Sequence, residues 1–132
     1  MGSNPRYLLD TSTFLWASVG ASQLSPTARL LISDPTAELL VSFASIWEMQ
    51  IKHSLNKLPL PLPANTFAAE ALKQLKAEVL FPTLAHLGAL YQLPNHHRDP
   101  FDRLIIAQAL TENMPLISPD AMLSKYPLQV LW

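Results

Sequence analysis

Strand-length apolar runs that stop abruptly at helix-capping residues recur along this chain, and their recurrence leaves few folds open to it. Tyr7-Leu8-Leu9 ends in Asp10-Thr11-Ser12, and Phe14-Leu15-Trp16 then opens a helical pattern. Leu39-Leu40-Val41 is followed by Ser45-Ile46-Trp47-Glu48, the opening of a helix that runs to about His53. Val79-Leu80-Phe81 precedes a helix over about Leu84 to Tyr91, and Pro115-Leu116-Ile117-Ser118 precedes a short helix from Asp120 to Lys125. Leu128-Gln129-Val130-Leu131-Trp132 reads as a terminal strand. Parallel strands need helical crossovers and are buried on both faces, so this alternation predicts an α/β sandwich around a mainly parallel sheet.

Further helices fill the crossovers. Ser25-Pro26 sets a cap before a proline at the first helical position, and Ala28, Leu30 and Leu31 carry that helix to the Asp34-Pro35 turn. From Asn65 or Thr66, the spacing of Phe67, Ala71, Leu72 and Leu75 predicts a helix with Glu70, Lys73, Gln74 and Lys76 outside. Asp99-Pro100 starts another that carries Leu104 to Leu110. Twelve Pro against three Gly fall mostly at such boundaries, where a fixed φ and a missing N–H do least harm. No repeat or low-complexity linker interrupts the pattern, so one domain is expected over residues 1–132.

Composition narrows the function. With 9 Lys+Arg against 10 Asp+Glu, no basic field advertises nucleic-acid binding, and any contact with a polyanion must be local. The absence of Cys removes disulfides, thiolate catalysis and Cys-ligated zinc, and suits a reducing cytoplasm. The apolar runs fall far short of the roughly 20 residues of a membrane helix. Met1 to Arg6 lacks the apolar core of a signal peptide, so a cytoplasmic protein is expected.

The acids are unevenly placed. Of five Asp, Asp10, Asp99, Asp102 and Asp120 lie at predicted helix starts, Glu48 lies one turn inside another, and only Asp34 sits elsewhere. Right-handed crossovers put strand-to-helix turns at the carboxyl edge of the sheet. Carboxylates brought together there repel unless a cation joins them. All-oxygen donors without Cys favour Mg²⁺ or Mn²⁺ over zinc, and phosphodiester hydrolysis is the natural reaction of such a centre. Each acid also has a bland role open to it. Asp10, Asp99 and Asp120 suit N-caps, Asp102 suits the first-turn dipole, and Ser45-x-x-Glu48 suits a capping box. Capping and ligation are compatible, and the set of acids weighs more than any member.

Leu8-Leu9-Asp10-Thr11-Ser12-Thr13-Phe14-Leu15-Trp16, Ser45-Ile46-Trp47-Glu48-Met49-Gln50-Ile51-Lys52 with Asn56-Lys57-Leu58, and His97-Arg98-Asp99-Pro100-Phe101-Asp102-Arg103-Leu104-Ile105-Ile106-Ala107-Gln108-Ala109 together resemble a PIN domain. The likeness is to the PilT N-terminus/VapC-type toxin branch, and it continues through Leu116-Ile117-Ser118-Pro119-Asp120 to Val130-Leu131-Trp132. It implies a three-layer α/β/α sandwich and a Mg²⁺- or Mn²⁺-dependent ribonuclease. Asp10, Glu48, Asp102 and Asp120 would be its catalytic acids, with Asp99 as an additional ligand to the metal. The branch often has His where this chain has Ser12, whose hydroxyl, like that of Thr11, can still bond a carboxylate or phosphate. Pro119 stands where the pattern tolerates several types. The resemblance further implies a homodimer, an RNA substrate and a protein antitoxin whose tail occupies the active-site groove.

Weaker candidates remain. Lys52, Lys57, Arg98 and Arg103 suit phosphates or a solvated surface, and Arg103 suits an acid partner. His96-His97 fits an exposed loop better than proton transfer, and Trp16, Trp47 and Trp132 fit the core better than base stacking. Two other functions compete: a PIN fold that only binds, its acids serving as caps, and a receiver-like phosphoacceptor. The second needs a Lys at the end of a late strand, where this chain has Ser118-Pro119-Asp120.

Overall fold

The computed structural model describes residues 4–132, so Met1-Gly2-Ser3, part of the segment in which no signal peptide is read, lie outside the described residues. The apolar runs become five strands: β1 (Arg6–Leu9), β2 (Glu38–Ser42), β3 (Ala77–Leu80), β4 (Leu116–Ile117) and β5 (Val130–Leu131). Six α-helices connect them: α1 (Thr11–Val19), α2 (Pro26–Ser33), α3 (Phe43–Ser54), α4 (Ala64–Leu75), α5 (Leu84–Gln92) and α6 (Pro100–Thr111). A short 3-10 helix covers Ala121–Lys125. The strand order is β3-β2-β1-β4-β5 and every pairing is parallel, Leu8 standing opposite Leu40 on one side and Leu116 on the other.

Because side chains alternate across a strand, the apolar runs feed two cores at once. Leu8, Leu40 and Leu116 face a core with Ile105, Ile106 and Ala109 of α6. Leu9, Val41 and Ile117 face the other, with Phe14, Ala28, Met49 and Ala68 of α1, α2, α3 and α4. The result is the expected three-layer α/β/α sandwich. The order in which strands are added switches side between β1 and β4, where the carboxyl ends of two adjacent parallel strands open a crevice.

Local chemistry sets the helix ends. Asp10, Ser25, Thr83, Asp99 and Asp120 each accept a backbone N–H at the start of the helix that follows. Gly20 closes α1 in the left-handed region, φ 62°, which a residue without Cβ adopts at no steric cost.

Several expected boundaries move. α3 begins at Phe43 and not at Ser45, because the Oγ of Ser42 accepts the Ala44 N–H and ends β2 as a cap. α4 starts at Ala64, directly after Pro63, and the terminal strand shrinks to Val130–Leu131. Trp47, expected in the core, is 53% exposed and meets the ring of Phe101 edge-on. α3 turns its Ala44, Ser45 and Met49 inward and leaves Trp47 on the outer side. Trp16 and Trp132 do pack together beside the second core. No helix among the described residues is long and apolar enough to cross a membrane.

The two cores should be felt in stability. Ile106, wholly buried, is expected to cost about 2–5 kcal/mol when truncated to Ala, whereas Tyr91→Ala, at an 87% exposed site, should stay within about 0.5 kcal/mol. Urea unfolding of the two variants checks this.

Candidate metal centre

Four acids from four different elements meet at the crevice. Asp10 follows β1, Glu48 projects from the second turn of α3, Asp102 from the first turn of α6, and Asp120 follows β4. All four line one groove of about 270 Å³, together with Thr11, Ser12, Leu15, Met49, Lys52 and Leu58. Asp34 stands apart, closing its own turn by accepting the N–H and hydroxyl of Thr36.

Each carboxylate is held. Asp10 Oδ1 accepts the Thr13 N–H at 2.9 Å and the Ser12 hydroxyl at 3.3 Å, while Oδ2 accepts the hydroxyl of Ser118. Capping therefore occupies one oxygen and leaves the carboxylate in the groove. Glu48 Oε1 accepts from Thr11 Oγ1 at 2.8 Å, and Oε2 accepts from Lys52 Nζ at 2.6 Å. The capping-box role open to Ser45-x-x-Glu48 is not taken up: Ser42 is the cap, and Ser45 Oγ lies 2.9 Å from Thr11 Oγ1. Asp120 Oδ1 accepts the Met122 N–H, and its own N–H donates to Ser118 Oγ. Ser118 thus ties the ends of β1 and β4 together at the acids.

Asp99 and Asp102 divide their roles. Asp99 Oδ1 accepts the N–H groups of both Phe101 and Asp102, the work of an N-cap, and Asp99 does not line the groove. Asp102 does line it, and its Oδ2 lies 3.3 Å from His97 Nε2, which also lies 3.1 Å from Asp120 Oδ2. His97, Asp102 and Asp120 offer ligand atoms all within 4.8 Å of one another.

Like charge and burial act together here. Burial first, then the neighbouring Asp99 carboxylate, pushes the Asp102 carboxyl up to about 7; Glu48 and Asp10 act in the same direction and His97 against it. Burial also raises Asp10, in spite of its hydrogen bonds from Ser118, Thr13 and Ser12. The hydrogen bond to Glu48 holds the Lys52 ammonium above its ordinary range. Among the described residues, Lys52 is the one cationic side chain lining the groove, so four acids share a single ammonium.

Arg103 does not join the acids. Its guanidinium donates to the carbonyls of Pro94, His97 and Leu93 and braces the loop before α6. Among the described residues it forms no salt bridge with a carboxylate. Ser118 escaped the sequence reading, an ordinary serine until strands converge; Ser45, expected as a cap, meets Thr11 instead, and His97, expected on an exposed loop, is only 16% exposed and faces two acids. His97 sits two residues before Asp99, a spacing that carries no signal of its own until the loop is folded.

The comparisons agree with this architecture. The PIN domain family profile matches residues 7–128, nearly the whole chain, and the chain belongs to the PIN domain family. The fold is similar to "VapBC2 from Rickettsia felis bound to a DNA fragment from their promoter", with TM-score 0.69, 16% identity, and 95% and 96% of the two chains covered. It is also similar to VapBC-1 from nontypeable Haemophilus influenzae, at TM-score 0.66, 18% identity, and 95% and 96% coverage. FitAcB from Neisseria gonorrhoeae follows, at 0.62, 16%, and 94% and 95% coverage. A comparison with curated proteins finds no significant match.

A pH dependence follows from Asp102. An unfolded Asp releases its proton near 3.8, whereas the folded carboxyl holds it to about 7, so between those values the folded state binds more protons. Stability without metal is therefore greatest below that window and falls as pH rises through it. Asp102→Asn removes the titration. In EDTA the variant is expected to melt above wild type at about pH 8 and level with it at about pH 4, as differential scanning fluorimetry would read.

Proposed function

We propose that this PIN-domain protein is a Mg²⁺- or Mn²⁺-dependent endoribonuclease and acts as the toxin of a type II toxin–antitoxin pair in the cytoplasm. The observation that carries the reading is the convergence of Asp10, Glu48, Asp102 and Asp120 on one groove where Lys52 is the one cation among the described residues. The donor set suits a hard divalent ion. Every acid offers carboxylate oxygen, the chain has no thiol, and Asp102 resists ionisation where nothing offsets its neighbours. Asp10, Asp102 and Asp120 would hold the ion, with Glu48 facing them and Asp99 in support. When bound, such an ion polarises a phosphoryl oxygen and lowers the pKa of an attacking water.

The chain's own residues supply orientation. The Thr13 N–H and the Ser12 and Ser118 hydroxyls fix both oxygens of Asp10, so its carboxylate does not reorganise as substrate enters. Thr11 holds one oxygen of Glu48 and turns it toward the groove, where it can accept a proton from water. Lys52 is half exposed, and its ammonium is the group best placed to attract an RNA phosphate into an otherwise anionic groove.

A protein antitoxin is proposed because structural neighbours of the chain include VapBC complexes. A homodimer is proposed from exposed apolar groups: Phe43 packs against Phe81, Trp47 meets Phe101 edge-on, and Leu84, Leu87 and Tyr91 lie along one side of α5.

The test is cleavage of single-stranded and structured RNAs by purified protein in EDTA, Mg²⁺ or Mn²⁺. Products are expected only with metal, and Asp10→Asn should lower the rate by at least the about 100-fold that loss of an outer-shell partner alone can cost. Cleavage that persists in EDTA, or in the variant, contradicts the reading. A silent binding module would neither cleave nor gain thermal stability from Mn²⁺, because only a ligand of the native state raises its melting temperature.

A further inference from the structure

We propose that His97 is a positioning residue: its ring Nε2 spans Asp102 and Asp120 and sets their separation for the cation, an inference that rests on the metal-nuclease reading above. Its Nε2 lies 3.1 Å from Asp120 Oδ2 and 3.3 Å from Asp102 Oδ2. Asp102 belongs to α6 and Asp120 follows β4, so without a bridge two like charges on separate elements would drift apart. Nε2 hydrogen-bonds Asp120 Oδ2 and lies in ion-pair range of Asp102 Oδ2, and among the described residues no other side chain reaches both carboxylates.

The tautomer follows from the other ring nitrogen. Nδ1 accepts the Asp99 N–H at 3.3 Å, so it presents a lone pair and the ring hydrogen resides on Nε2, aimed at the two acids. The same bond argues against His97 as a ligand, since Nε2 would need its lone pair to hold a metal. Each carboxylate oxygen keeps lone pairs beyond the one that accepts from the ring, so the bridge and a bound ion are compatible.

The backbone around the ring is wired from both sides. The His97 N–H donates to Tyr126 Oη at 2.7 Å, and that hydroxyl donates to the Pro94 carbonyl at 3.1 Å. The His97 carbonyl accepts from Arg103 Nη1 at 3.2 Å, and Arg103 also holds the Pro94 and Leu93 carbonyls. His96 meets the Tyr126 ring edge-on with centroids 5.2 Å apart. The ring itself is well shielded, its side chain only 16% exposed. This arrangement also explains why Arg103 turns from the acids: it fixes the loop that carries the bridge.

The test measures Mn²⁺ binding by calorimetry and the spin spectrum of the bound ion, with wild type, His97→Ala, His97→Gln and Asp102→Asn. His97→Ala is expected to weaken Mn²⁺ about 10- to 100-fold, the usual cost of losing a group that orients a ligand. His97→Gln, whose amide N–H can reach toward the same acids, should recover part of that loss, which a merely structural role would not predict. The Mn²⁺ spin spectrum of wild type should lack the nitrogen coupling of a directly bound imidazole. Equal Mn²⁺ affinity in wild type and both His97 variants would overturn the inference, as would a directly coordinated nitrogen. If wild type binds Mn²⁺ no better than Asp102→Asn, the metal reading itself fails, and the bridge then has no cation to serve.

Discussion

Repulsion between carboxylates held at one end of a parallel sheet is the interaction around which this molecule is organised. Asp10, Glu48, Asp102 and Asp120 share a groove with one lysine, and burial strips water that would otherwise screen them. The folded chain meets that charge with a set of donors. Ser118, Ser12, Thr11, Lys52 and His97, with the N–H groups at helix starts, each bond an acid. Of these, Lys52 alone brings a fixed positive charge, against Glu48, and so the site is well hydrogen-bonded yet still short of cation.

The rest of the fold makes this concentration tolerable. A five-stranded sheet buried on both faces gives two apolar cores, one beneath α6 and one beneath α1, α2 and α4, and these hold the strand ends in register. The acids ride on the rigid parts: two strand ends, the second turn of α3 and the first turn of α6. Asp10 and Asp120 serve twice, since one oxygen satisfies an orphan helix N–H while the other faces inward. Asp99 spends its bonding on the cap and leaves the groove to Asp102. Where the scaffold is a loop, between α5 and α6, Arg103 and Tyr126 bond its carbonyls and N–H groups and stiffen it.

The misreadings have a common cause. Ser45-x-x-Glu48 has the spacing of a capping box, but Ser42, three residues earlier, captures the helix start, and Ser45 and Glu48 then turn toward Thr11 across the crevice. Trp47 has the composition of a core residue, but the face of α3 that it occupies points away from both cores. Arg103 follows an acid and suits a salt bridge, yet three carbonyls of the preceding loop claim its guanidinium. In each case a local pattern was compatible with two partners, and the choice fell to a group distant in sequence.

The alternation of strands and helices, the parallel sheet and the location of acids at strand-to-helix junctions are determined by the sequence itself. Apolar runs of strand length, cap residues and helical spacing act over a few neighbours and need no distant partner. Tertiary structure alone decided which junctions meet: the order β3-β2-β1-β4-β5 sets β1 beside β4 and so brings Asp10 to Ser118 and Asp120 within reach of His97. That order depends on the burial of Leu8, Leu9, Leu116 and Ile117 between two helical layers, a many-body packing that no short window of sequence contains. The same packing removes water from the acids, and with it comes the electrostatic strain that gives the groove its chemistry.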